Sequence, residues 1–97
     1  MKTYRTFLFV YSATMGNEET IESYIDSRRE IVNWMRHLPH AYLLVSAYSV
    51  SELHALLMAL KGLGKGTFVV AEIHPHAIRG WMARKFWDCI RNPGPAG

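Results

Sequence analysis

The chain holds one cysteine among 97 residues, Cys89, so no disulfide can close within it, and the Cys and His spacing of a structural zinc site is missing. A reducing, cytoplasmic compartment is the expectation. Long apolar runs are missing too. Ser46, Ser49 and Ser51 break the best candidate far below the roughly 18 residues of a membrane span, and no membrane partner is expected. The apolar stretch at residues 7–11 is shorter than the ~7–15 residues of a signal-peptide core, which argues against secretion. There are no internal repeats and no low-complexity tract. With 49% hydrophobic and 20% charged residues the composition excludes a disordered chain. The length suits one domain, expected over residues 1–91, followed by a flexible Pro and Gly tail at 92–97.

Charge is sparse as well, with a net value of +3. Basic and acidic side chains balance through residue 73, so the whole excess comes from Arg79, Arg84, Lys85 and Arg91 set against Asp88. That asymmetry suits a phosphate-bearing partner, RNA or DNA, with these four as the binding residues. It also suits the solvated face of a terminal helix.

Residues 4–12 are aromatic and aliphatic without a helical break, which reads as a strand buried on both faces and so central in a sheet. Asn17 is the candidate cap of a helix whose first turn carries Glu18, Glu19 and Glu22. Its apolar stripe is Ile21, Tyr24, Ile25, Ile31 and Val32, with Arg28 and Arg29 late, where cations suit the dipole. The helix end is open: residues 31–37 either continue it to about His37 or leave it for an extended run over 34–38. Pro39 ends both versions, and residues 41–47 follow as an unbroken apolar strand. Ser49 with Glu52 forms a capping box before Leu53, Leu56, Leu57 and Leu60, a helix expected to stop at Gly62. Residues 67–73 are rich in β-branched and aromatic side chains and make a further strand, ended by His74-Pro75-His76. A last helix over 80–91 places Met82, Phe86, Cys89 and Ile90 on one face, where Cys89 serves as a small hydrophobe.

Chemistry-bearing clusters are few. Lys65 in Gly64-Lys65-Gly66-Thr67 is no phosphate loop, because the glycine spacing is wrong and a helix leads into a strand here, not a strand into a helix. His74 and His76 point to one side of an extended segment, but with no acidic residue or cysteine read as neighbouring them, no metal site and no cofactor is expected. Arg36, His37 and His40 flank the Pro39 turn. They are the candidates for acid–base chemistry and phosphate stabilisation, against the plainer reading of a polar turn. Trp34, Trp81 and Trp87 with Tyr11, Tyr42 and Tyr48 suit core or dimer contacts equally with stacking on bases, the latter favoured where Arg79 and Arg84 flank Trp81.

Trp34-Met35-Arg36-His37-Leu38, the Tyr42-Leu43-Leu44-Val45 strand, Ser49-Val50-Ser51-Glu52-Leu53, Phe68-Val69-Val70-Ala71-Glu72-Ile73, Gly80-Trp81-Met82 and Phe86-Trp87 together resemble the short SinR-like proteins. These are distant relatives of the small dimeric CRISPR-associated ribonuclease-like subunit and of the VapD-type ribonucleases. The resemblance implies an α+β, ferredoxin-like βαββαβ sheet with an additional C-terminal helix, residues 34–38 as its second strand, and a homodimer. It also implies an aspartate just after the first strand as a metal ligand. Val10-Tyr11-Ser12-Ala13-Thr14 offers none, and the Ser12 hydroxyl cannot replace an anionic ligand. The expected function is therefore non-enzymatic binding of a nucleic-acid or protein partner through exposed turns and the basic last helix. The alternative is a metal-independent ribonuclease using His37 or His40 with Arg36. A third reading, a parallel βαβαβα sheet, requires residues 31–37 to be helical.

Overall fold

The computed structural model describes residues 3–61 and 66–96, with the side chains of His37 and Lys61 left outside the description. The chain runs β1 (Arg5–Tyr11), a short 3-10 turn (Ala13–Met15), α1 (Glu18–Asp26), β2 (Asn33–Leu38), β3 (Ala41–Ser46), α2 (Val50–Lys61), β4 (Phe68–Ile73) and α3 (Arg84–Arg91). This is a small α+β protein with one four-stranded sheet in the order β2-β3-β1-β4, antiparallel at every pairing.

Asn17 caps α1 as its sequence position foretells, its side chain accepting from Thr20 N–H at 2.8 Å. The helix ends at Asp26, so two expectations need correction. Ile31 and Val32 are not part of its stripe, and Arg28 and Arg29 do not occupy its last turn. Consecutive Ile31 and Val32 serve opposite sides of the sheet, Ile31 in the cluster beneath α1 and α2 and Val32 against the cluster beneath α3. Opposite facing of neighbours is the two-residue period of extended chain, which no helix supplies. Val32 N–H already bonds to Val45 O at 2.9 Å. Arg28 sits instead over the Tyr24 ring at 5.2 Å. Residues 33–38 are thus strand, and the parallel-sheet alternative falls with the antiparallel pairing of β2 and β3.

The turn joining β2 to β3 is Pro39-His40 between the paired Leu38 and Ala41. Proline fixes the first turn residue, and His40 takes the left-handed backbone that the second requires, at φ 60°. The capping box of α2 is present on both arms: Ser49 N–H bonds to Glu52 Oε1 at 3.0 Å, and Glu52 N–H to Ser49 Oγ at 3.2 Å. Gly62 and Lys65, read above as a helix stop and a turn, lie outside the described residues.

Two apolar layers sandwich the sheet. On one face Phe7, Phe9, Tyr42 and Leu44 pack with Ile21 and Ile25 of α1 and Leu53, Leu57 and Leu60 of α2. Burial of each leucine contributes about 1.5–3 kcal/mol. On the other face Leu43, Val45 and Leu8 meet Phe86, Cys89 and Ile90 of α3. This helix starts four residues later than its apolar spacing suggests, because Ala83 at its cap has no side-chain oxygen to receive a free amide. Gly80 also resists helix and lies against the Trp87 ring. Met82 still joins the α3 cluster from outside the helix. Thr6 Oγ1, buried in β1, donates to Cys89 O at 2.9 Å and ties α3 to the sheet. The tail adds one bond of its own, from Ala96 N–H to Val32 O at 3.0 Å.

Candidate functional site

The stretch after β1, where the resemblance expects an acidic ligand, is a crossing of two chain segments. Ser12 Oγ accepts Thr67 N–H at 3.0 Å and lies 3.0 Å from Thr14 Oγ1, while Ser12 N–H donates to Thr67 O at 2.9 Å. Serine here closes the sheet's end by bonding β1's exit to the start of β4. Its hydroxyl is engaged by the chain itself.

The nearest carboxylates on α1 have another use. Glu18 Oε1 accepts Arg36 Nη1 at 2.8 Å, and Glu22 Oε2 meets Arg36 Nε at 3.2 Å. The Tyr42 hydroxyl donates to the same Glu22 oxygen at 2.6 Å. Burial, then the bond to Glu22, holds the Tyr42 phenol far above its ordinary value, so it remains a donor. Tyr11 is raised too, by burial first, and among the described residues its buried hydroxyl has no hydrogen-bond partner. His40 stands edge-on to the Tyr11 ring at 5.4 Å. The His37 side chain lies outside the described residues. The Arg36 guanidinium is therefore occupied by two carboxylates, a pairing that sequence spacing hides because Glu18 and Glu22 also satisfy the dipole of α1.

The basic C-terminal segment is arranged differently. Arg79, Arg84, Lys85 and Arg91 are all exposed. No ion pair among the described residues involves any of them, although Asp88 shares α3 with Arg84, Lys85 and Arg91; Arg79 precedes the helix. Arg84 and Lys85 occupy the first turn of α3, the end at which a helix dipole disfavours cations. Between β4 and α3 the chain carries Trp81, 98% exposed. A groove of about 320 Å³, which Trp81 does not itself line, is bounded by Pro75, Ile78, Arg79, Gly80, Trp87, Ile90 and Arg91. Arg79 Nη1 also donates to the neighbouring Ile78 carbonyl at 2.9 Å. The two histidines ahead of this segment need a correction, since Glu72 does neighbour them: its Oε2 lies 3.8 Å from His74 Nε2, and its Oε1 3.5 Å from Arg5. Among the described residues no three His, Cys, Asp or Glu side chains come together as a metal site.

One feature escapes sequence inspection. Leu38 pairs with Ala41, Ala41 with Val10, and Val10 with Val69, so one residue from each strand forms a row across the sheet on the α3 face. The helix leaves much of this row open: Leu38 is 48%, Val10 42% and Val69 66% exposed, while Ala41 is half-buried. No described helix is long and apolar enough to cross a membrane. Compared with protein-family models, with curated proteins and with solved structures, the chain gives no significant match.

Proposed function

We propose that the chain is a cytoplasmic, homodimeric protein of ferredoxin-like fold, akin to the SinR-like proteins, that binds nucleic acid without transforming it. The element order and the strand order β2-β3-β1-β4 support the fold assignment, since each helix crosses over a strand that lies between the two it connects. The dimer rests on the partly exposed apolar row, which a second subunit would cover. The observation that carries the binding role is the set of four exposed cations without a carboxylate partner among the described residues, two of them held against the dipole of α3. A solvated helix face gains nothing from that placement, whereas phosphates arriving from outside would neutralise it.

The metal-independent ribonuclease reading draws no support from Arg36, whose charge is taken up by Glu18 and Glu22. The test is binding of labelled RNA and DNA across a salt series. Affinity that falls steeply with salt, and collapses when Arg79, Arg84 and Lys85 are changed together to Glu, is the expected result. Absence of binding at low salt would overturn the reading and turn attention to an acidic protein partner.

A further inference from the structure

Resting on that binding role, we infer that the nucleic acid recognised is single-stranded, with an unpaired base stacked on Trp81 and its flanking phosphates held by Arg79 and Arg91. An indole is among the side chains least often left in water, and Trp81, 98% exposed, is left uncovered by the described residues. Its neighbour Gly80 carries no side chain to shield it and lies against the Trp87 ring, whose edge atoms stand 3.9 Å from where a Cβ would be. The exposed indole and the half-buried Trp87 are thus joined by a single residue of backbone. Arg79 belongs to both surfaces, preceding Gly80 in the chain and lining the groove with Trp87 and Arg91. Two cations and an indole thus line the groove, and the exposed Trp81 follows one of its lining residues, Gly80, directly in the chain.

That arrangement fits one strand better than two. A duplex keeps its base faces inside its own stack and offers a protein surface only phosphates, sugars and groove edges. Against a duplex the four cations would work and Trp81 would gain nothing. An unpaired strand offers a π face at every nucleotide, and stacking on an aromatic side chain accepts any base.

Intrinsic fluorescence of the whole protein, titrated at low salt with thymine and uracil homo-oligomers and with a duplex of equal length, tests this directly. Single strands should quench the emission and bind about tenfold more tightly than the duplex. Trp81→Ala should abolish most of the quench and cost about tenfold in single-strand affinity, with duplex affinity unchanged, while Trp81→Phe keeps most of the binding. Arg79→Ala and Arg91→Ala should each lower the salt slope for single strands by about 0.7. The thymine and uracil arms show whether DNA or RNA is preferred. Equal affinity for both forms with a neutral Trp81→Ala would overturn the inference and leave the basic-surface reading standing. Shielding of Trp81 from iodide in the free protein would overturn it too, by placing the indole in a subunit contact. No binding to any oligomer would defeat both readings.

Discussion

A methyl group added at Gly66 would meet atoms that cannot step aside. Its Cβ would stand 2.7 Å from Met15 N and from Ser12 Oγ and 2.9 Å from Met15 Cα, at a φ of +135° that side chains rarely adopt. Gly16 has a similar backbone, φ +151°, but its added Cβ would find only Ile21 Cγ1 and Cδ1, at 3.8 and 4.0 Å. Both substitutions to alanine should cost the strain of the backbone, about 1–3 kcal/mol. Gly66→Ala should cost clearly more, because the clash also breaks the Ser12–Thr67 bond across 55 residues of sequence. Urea denaturation of the two variants checks this, and equal losses would refute it. The same residues show where the site was hidden in the sequence. That Ser12 is not acidic can be read directly. That its hydroxyl holds Thr67 depends on a chain crossing no local pattern encodes. Arg36 was visible as a candidate, yet its partners lie on α1, where carboxylates already have a sufficient reason to be.

At the scale of elements, legibility follows how local the cause is. The capping box of α2 involves residues three apart and is present as its pattern says. The end of α1 is decided by which sheet face Ile31 and Val32 meet, a fact of tertiary packing, so the spacing alone left helix and strand open. The late start of α3 has local causes in Gly80 and Ala83, which the apolar spacing through Met82 masks, since Met82 keeps its contact without being helical. Glu52 carries a testable pH dependence. Bonds from Ser49, backbone first and side chain second, hold its carboxyl below the ordinary value. The resulting stability is present above the ordinary carboxylate range and lost as pH falls through the lowered value. Glu52→Ala should therefore lower stability at neutral pH and matter less in acid, where the native carboxyl is protonated too, by denaturant melts at both. For α3, eight residues are too few to persist as helix without packing. Burial raises the Cys89 thiol above its ordinary value, so a thiol reagent should label it slowly near neutral pH. Ile90→Ala, removing a side chain 2% exposed, should cost about 2–4 kcal/mol and speed that labelling by freeing the helix. Unchanged labelling in the variant would mean that α3 opens only with global unfolding.

For the whole molecule the question is what the sheet's second face is for. The helix α3 covers one part of it, and in the row Leu38, Ala41, Val10 and Val69 three of the four strands leave an apolar side chain exposed, Ala41 being half-buried. A stable interface takes roughly 800 Å² from each partner. The protein has 6361 Å² of surface and principal extents of 33 by 32 by 24 Å, so one broad face supplies that area. Lysine at Leu38 and Val69 would place charges where a second subunit would desolvate them, at positions exposed enough to leave the fold intact. Sedimentation should show a dimer for the native chain and a monomer for this double variant, with unchanged circular dichroism. A native monomer at micromolar concentration would defeat the dimer. The two proposals then meet in one measurement. A dimer carries two basic segments, so a strand long enough to reach both binds the second at high effective concentration, a gain on the order of 10²-fold or more. The monomeric variant should bind short oligomers as the native protein does, because its Arg79, Arg84, Lys85, Arg91 and Trp81 are untouched. It should lose the extra affinity for long ones, and if length dependence survives in the monomer, the two segments do not act together.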